Sequence, residues 1–344
     1  MAIKGPGILI SQFMTDKPPR DNLENISTWA AELGYKGLQM GANMIDLDKA
    51  AESKTYCDEW AGKLKEKGLE VIDFHGGRYG QMLAFNPAYD DLFANFHPKG
   101  LKGKELTEWA TGEFMKTIKA SKNLGLKGVA SLSGGFAWIM VYPWPQRPKG
   151  IIETSFKELV RRWKPILDFA HENGITINYE LHPACDCFDG ATFDMFLEYS
   201  NEHPSACLNY DPSHFILQQL DLYEFIKVYG SRIKGFHVKD GEFNPSAKQG
   251  VYSGFQSWSK RAGRFRTVGD GQIDFKKVFS LLTEAGYDGW AVLEWEDPVR
   301  DPEDAAKRCA KFIEDHIIET AKYEFDSFLD AGVDESGHKK ILGI

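Results

Sequence analysis

The stretch Ala170-His-Glu-Asn-Gly174-Ile-Thr-Ile-Asn-Tyr-Glu180 decides how the chain is read. An amphipathic run from Ser155 to Asn173 has helical spacing, Gly174 ends it, and Ile175–Glu180 is a short apolar run with a carboxylate at its exit. Glycine enters left-handed backbone at little steric cost, so it makes a natural helix stop. The same punctuation recurs at Gly34, Gly68, Gly125 and Gly286.

Working outward from that unit, short apolar runs alternate with amphipathic stretches along the whole chain. The runs are Gly7–Phe13, Gly37–Met40, Val71–His75, Gly128–Leu132, Ile175–Glu180, Ala206–Asp211, Ile233–His237 and Trp290–Glu294. Helical patterns follow at Leu23–Leu33, Thr55–Lys67, Leu106–Leu124, Ser155–Asn173, Ala191–Asn201, Leu220–Val228, Phe275–Ala285 and Pro302–Thr320. Strict alternation demands a parallel sheet with crossover helices. Eight such units closing on themselves predict a single-domain α/β fold, the (β/α)8 TIM barrel. An open doubly wound sheet is the alternative, but the phosphate-binding glycine fingerprint after its first strand is missing. The barrel is expected over residues 1–320, with a C-terminal extension over 321–344. The extension's Phe325, Phe328, Leu329 and Val333 suit packing on the barrel or on a second copy, so a homo-oligomer is one expected arrangement. Two long connections, Gly76–Lys104 after strand three and Val238–Asp274 after strand seven, fall on the carboxyl-terminal face, where barrel active sites lie.

Composition narrows the function classes. The 344 residues are 42% hydrophobic with a formal net charge of −9, which argues against a nucleic-acid partner. Cys57, Cys185, Cys187, Cys207 and Cys309 are odd in number and lack a C-x-x-C pair, so a reducing compartment is expected. The amino terminus has no signal-peptide pattern and no run approaches a membrane span, giving a cytoplasmic protein without a membrane partner as the expectation.

Four successive strands end on a metal-ligand type: Glu180, Asp211, His237 and Glu294. Adjacent strands lie about 4.8 Å apart, so these side chains should converge on one volume at the barrel mouth. Crowded carboxylates repel unless a cation neutralises them. Oxygen ligands with one imidazole suit one divalent metal ion, Mn²⁺ first, with Mg²⁺, Co²⁺ and Zn²⁺ also compatible. Taken singly, Glu180 or Asp211 reads as a helix cap and His237 as a satisfied interior histidine. Four at successive strand ends favour the metal.

The segments Glu180-Leu-His182-Pro, Asp211-Pro-Ser-His214, Phe236-His237-Val-Lys239-Asp240 and Leu293-Glu294-Trp-Glu296-Asp297 resemble the xylose-isomerase-like barrel superfamily. The likeness is to its sugar phosphate isomerase/epimerase branch, related to ketose 3-epimerases and inosose dehydratases. It is loose over the eight strands and close from Ile175 to Asp297. It implies that Glu180, Asp211, His237 and Glu294 bind the metal, with Glu180 and Glu294 also serving as the catalytic proton-transfer pair. Such a pair can work on opposite faces of a metal-stabilised enediolate. A departure is Phe243, where the ketose epimerases carry an arginine; Arg264 and Arg266 could replace it from the long loop.

Further substrate-binding candidates are His214 and His182 beside the ligands, His75 at the end of strand three, and Lys239 and Asp240. His214 reads equally as a helix-start residue bonded to backbone, and Lys239 with Asp240 as a group orienting His237 or as a surface ion pair. Trp138, Tyr142 and Trp144 could form an apolar platform for a sugar ring, or pack on one another. The leading expectation is a metal-dependent isomerase or epimerase of a small-molecule sugar or sugar derivative. A lyase or dehydratase acting on a keto-sugar or keto-inositol begins with the same proton abstraction. A non-catalytic sugar-binding barrel would be expected to have lost one of the four ligands.

Overall fold

Gly174 takes φ +68° at the end of the helix Ile151–Glu172, and nothing stands within 4 Å of where a Cβ would project. Backbone conformation, not crowding, selects glycine there. The helix lays Phe156, Leu159, Val160, Trp163, Ile166, Leu167 and Ala170 against the sheet. Trp163 meets Phe114 at 5.2 Å and Tyr179 at 4.9 Å between ring centroids, and its indole N–H donates to the Ser133 carbonyl at 2.9 Å. With its polar atom satisfied, that side chain is worth roughly 3–5 kcal/mol against alanine.

The computed structural model describes residues 2–86, 89–322, 325 and 334–344. Its strands are β1 (Lys4–Leu9), β2 (Gly37–Gly41), β3 (Glu70–His75), β4 (Gly128–Ser131), β5 (Thr176–Glu180), β6 (Ala206–Tyr210), β7 (Ile233–Val238), β8 (Asp240–Phe243), β9 (Gly263–Arg266) and β10 (Trp290–Leu293). Eight of them close a parallel barrel in the order β1, β10, β7, β6, β5, β4, β3, β2, with the intervening helices outside. The expected (β/α)8 TIM barrel is the fold.

Local boundaries differ where apolar content and chain geometry part company. Strand β1 starts at Lys4, ahead of the expected Gly7, and Ile10–Gln12 is a 3-10 turn instead of its continuation. The single helix expected at Leu220–Val228 is Leu222–Tyr229, and it is preceded by a separate helix at Pro212–Gln218. The latter starts on Asp211, whose side chain accepts from the Ser213 N–H, with Pro212 in the first turn.

The two long connections are structured. The first holds helices Gly77–Leu83 and Asp90–Phe93. The second folds into the antiparallel β8–β9 hairpin, with Glu242 opposite Arg264 and Gly241 opposite Phe265. In the C-terminal extension Phe325 is exposed and helix Glu335–Leu342 buries no residue. Phe328, Leu329 and Val333 lie outside the described residues. All five cysteines are free and buried. Among the described residues no helix is long and apolar enough to cross a membrane.

Candidate active site

Glu180 ends β5, Asp211 follows β6, His237 lies in β7 and Glu294 follows β10. Strand order makes β5, β6, β7 and β10 consecutive neighbours, so one ligand atom from each of the four residues lies within 4.8 Å of the others. All four are buried.

Each of the four is held by a further contact. Asp211 divides its oxygens: Oδ1 caps the following helix by accepting from Ser213 N–H at 2.8 Å, while Oδ2 has no hydrogen-bond partner. The capping role and a ligand role therefore belong to different atoms of one carboxylate. Gln12 donates to Glu294 Oε1 at 3.0 Å and accepts from the Trp295 N–H at 2.8 Å. Glu294 Oε2 is buried without a hydrogen bond, although His237 Nδ1 is 2.7 Å away. His214 Nε2 lies 3.0 Å from Glu180 Oε1, and Asn209 donates to Glu180 Oε2 at 3.3 Å.

Lys239 is 1% exposed and stands among these carboxylates. Its Nζ is 2.8 Å from Glu296 and 3.5 Å from both Asp211 and Glu294, and it lies 4.3 Å from the Phe265 ring centroid. Burial would lower its pKa, but Glu294, Glu296 and Asp211 hold it well above the ordinary lysine value. Burial pushes Glu180 up, yet the neighbouring imidazoles of His214 and His237 leave it well below the usual carboxylate range. Asp211 goes the other way: burial first, then the Glu180 and Glu294 charges, push it up to about 8 against the pull of Lys239. His214 is pushed down to about 3 by burial, His182 and Lys239, so its imidazole is neutral.

The donor set tests whether a divalent ion fits. Orphaned buried acceptors cost about 1–3 kcal/mol each unless something positive meets them. Asp211 Oδ2 and Glu294 Oε2 make no hydrogen bond and have Lys239 Nζ only at 3.5 Å, and they face the same volume as His237 Nδ1 and Glu180. Three carboxylates with one imidazole suit a hard or borderline divalent cation. Glu180, His182 and His214 also bring ligand atoms within 4.8 Å of one another, sharing Glu180 with the first group.

The other expected residues divide. His182 is half-buried, its ring 4.2 Å from that of His214, with Nδ1 bonded to the Pro183 carbonyl. His75 stacks 6.2 Å from the His237 ring and lines a cavity of about 190 Å³ with Ser11, Asn43, Arg78, Tyr79 and Asn95. Asp240 turns to backbone, accepting from the N–H groups of Gly241, Gly269, Gly271 and Ile273. It fixes the loop after the hairpin and forms no contact with His237 among the hydrogen bonds described. Arg264 and Arg266 both pair with Glu242 Oε1, at 2.5 and 3.0 Å. Strand alternation sends the intervening Phe265 to the other side, where it meets His214 edge-on at 5.3 Å. Trp138 packs on Phe188 at 5.1 Å and Tyr142 on Tyr252 at 5.4 Å, while Trp144 is exposed.

Several residues of the site escaped sequence reading. Asn209, Gln39 and Asp73 are buried polar groups on strands, in the barrel-facing register below the ligands. The repeated pattern Asn-Tyr-Glu180 and Asn-Tyr-Asp211 was the signal for Asn209. Gln12 had none, because it stands in a turn after β1. Asp186, which accepts from the Phe136, Ala137 and Trp138 N–H groups, ties the loop after β4 to the loop after β5.

Comparison with known proteins bears on the family and the fold. Residues 28–316 match the family described as Xylose isomerase-like TIM barrel. An inosose dehydratase of Clostridium tetani (strain Massachusetts / E88) is 30% identical over 167 residues, 47% of this chain and 55% of that protein. The chain thus spans about half the length of the first such relatives it matches. Among solved structures, an L-ribulose 3-epimerase has a TM-score of 0.59 at 16% identity, covering 97% of this chain and all (100%) of the other. A structure of the IolI protein with a bound zinc atom has a TM-score of 0.57 at 19% identity, covering 86% of this chain and 92% of that one. At those identities the likeness is one of fold. The matched span and the closed barrel lead to one statement: this chain belongs to the xylose isomerase-like TIM barrel family.

Proposed function

We propose that the chain is a metal-dependent enzyme that removes a proton beside the carbonyl of a keto-cyclitol or keto-sugar and then expels water. The observation that carries the reading is the convergence of Glu180, Asp211, His237 and Glu294 on one buried volume with two orphaned carboxylate oxygens. These four residues would hold the ion; Mn²⁺ is the first choice, and Mg²⁺, Co²⁺ or Zn²⁺ also fit the donors. A bound divalent ion supplies Lewis-acid stabilisation of the oxyanion that forms next to the abstracted proton. Glu180 or Glu294 takes that proton, and Lys239, held as a cation, lowers the cost of negative charge in the site. The C–H electron pair becomes the new C=C bond through the enolate. The β C–O bond then breaks, and the departing oxygen takes the proton now held by that glutamate, so that water leaves and the carboxylate is restored.

Dehydration comes ahead of epimerisation, reversing the order expected from sequence, because relatives that are 30% and 31% identical carry the name inosose dehydratase. Epimerisation is the second reading. It is favoured by carboxylates on two sides of the cluster, which could return the proton to the opposite face. The test is incubation with an inosose and Mn²⁺ in D₂O, followed by NMR and mass spectrometry. Dehydration gives a product lighter by one water. Deuterium uptake with a stereoisomer and no water loss would move epimerisation to first place. Neither exchange nor product across inososes and keto-sugars would overturn the proposal.

A further inference from the structure

Beneath the cluster, three buried side chains form a line. Asp73 Oδ1 accepts from Gln39 Nε2 at 2.8 Å, and Gln39 Oε1 is 2.8 Å from His237 Nε2. Gln39 is 1% and Asp73 7% exposed. They are paired positions on neighbouring strands β2 and β3, so the barrel itself sets their approach. The other ring nitrogen, His237 Nδ1, faces Glu294 Oε2 at 2.7 Å, Asn209 Nδ2 at 3.1 Å and Glu180 Oε2 at 3.2 Å.

A carboxamide has one accepting end and one donating end. When Asp73 is ionised its oxygen can only receive the Gln39 N–H, and the amide is oriented with its oxygen toward His237. That oxygen in turn requires hydrogen on His237 Nε2. A histidine with hydrogen on Nε2 presents Nδ1 as the nitrogen open to a proton or a metal. Flip the amide and the logic inverts: Nε2 must accept, Nδ1 carries the hydrogen, and the lone pair facing the carboxylates is lost.

We propose that Asp73 and Gln39 are positioning residues that fix the polarity of His237 so that Nδ1 is its ligand atom. The inference rests on the metal reading of the four-residue cluster, not on which reaction follows. Asp73 and Gln39 also line a cavity of about 660 Å³ that opens among the strand beginnings. The carboxylate end of the line therefore lies toward the barrel face opposite the strand-end cluster.

The experiment uses Zn²⁺ as a diamagnetic probe on the full chain carrying ¹⁵N-labelled histidine. Zinc affinity and the long-range ¹⁵N–¹H pattern of His237 are read together. Wild type should bind zinc and show hydrogen on Nε2. Asp73→Leu removes the acceptor and should weaken zinc by roughly 10–100-fold, with loss of the Nε2–H signal. The double swap Gln39→Glu/Asp73→Asn restores polarity: the amide introduced on β3 donates to the carboxylate introduced on β2, whose other oxygen then faces His237. It should recover wild-type affinity to within a few-fold, whereas Gln39→Glu alone, with two carboxyl groups face to face, should not. These nearly isosteric variants carry the test if Asp73→Leu fails to fold. Unchanged affinity and an unchanged tautomer in Asp73→Leu, or failure of the double swap to recover, would overturn the inference. A wild type that takes up no zinc or other divalent ion would overturn the metal reading itself, and this inference with it.

Discussion

His214 Nε2 and Glu180 Oε1 stand 3.0 Å apart with side chains only 1% and 3% exposed. A carboxylate only accepts, so the neutral imidazole donates, and Glu180 is held in one orientation with its other oxygen toward the cluster. Replacing His214 by Ala leaves a buried carboxylate oxygen without its donor. Turnover is expected to fall by about 10²-fold or more, while His214→Asn, which keeps an N–H, should retain more of it. Equal loss in both variants would show that the ring, not the hydrogen bond, is what matters.

Glu180 and Glu294 are the two carboxylates of the cluster assigned to proton transfer. Changing either to Gln preserves size and one ligand oxygen but removes basicity. Metal binding should survive in part while turnover falls roughly 10²–10⁴-fold. Solvent deuterium should enter the substrate carbon with wild type and fail to enter with at least one variant. Near-normal exchange in both would transfer the base role to another group, with His182 or His214 next in line.

The barrel was legible because its signals are periodic: helix stops at glycine, apolar runs, and ligand types at four consecutive strand exits. Those exits share a register, so sequence position translates directly into proximity. The support beneath them was harder to read. Gln39, Asp73 and Asn209 come from separate strands, and only barrel closure makes them neighbours of His237 and Glu180. The inward face of the long loop was equally hard to read. Arg264 and Arg266 were expected at the substrate, yet two-residue alternation in the hairpin turns them to Glu242 and puts Phe265 beside His214. A loop's sequence does not announce which of its faces points inward.

Asp73 gives the metal-free protein a pH signature. Burial pushes its carboxyl up to about 7 from 3.8, with the Gln39 hydrogen bond opposing. A raised carboxyl favours the protonated fold. Its stabilising contribution is complete below the unfolded value and is lost as pH rises through about 7. Denaturant melts of Asp73→Asn should therefore be less pH-dependent between about pH 5 and pH 8, and relatively more stable than wild type at the upper end. Parallel pH profiles for the two proteins would mean that Asp73 ionises freely in the fold.

The β8–β9 hairpin makes the last prediction, because its two faces offer competing routes to the substrate. Phe265 is 5% exposed, lies 4.3 Å from Lys239 Nζ and meets the His214 ring at 5.3 Å. On the opposite face Arg264 is occupied by Glu242 and by the Ser259 carbonyl. If the hairpin serves the site through Phe265, Phe265→Ala admits water to Lys239 and His214 and loosens both. The expected loss in kcat/KM is on the order of 10²-fold, the scale set by small misplacements of catalytic groups. Phe265→Leu should keep most of the activity by preserving apolar cover. Arg264→Ala should stay close to wild type, its main effect being a hairpin more readily cut by protease. The reverse pattern, with a damaged Arg264→Ala enzyme and an active Phe265→Ala enzyme, would mean that the arginine leaves Glu242 when substrate binds and takes up the position expected from sequence. Measuring all three variants on one substrate separates these outcomes.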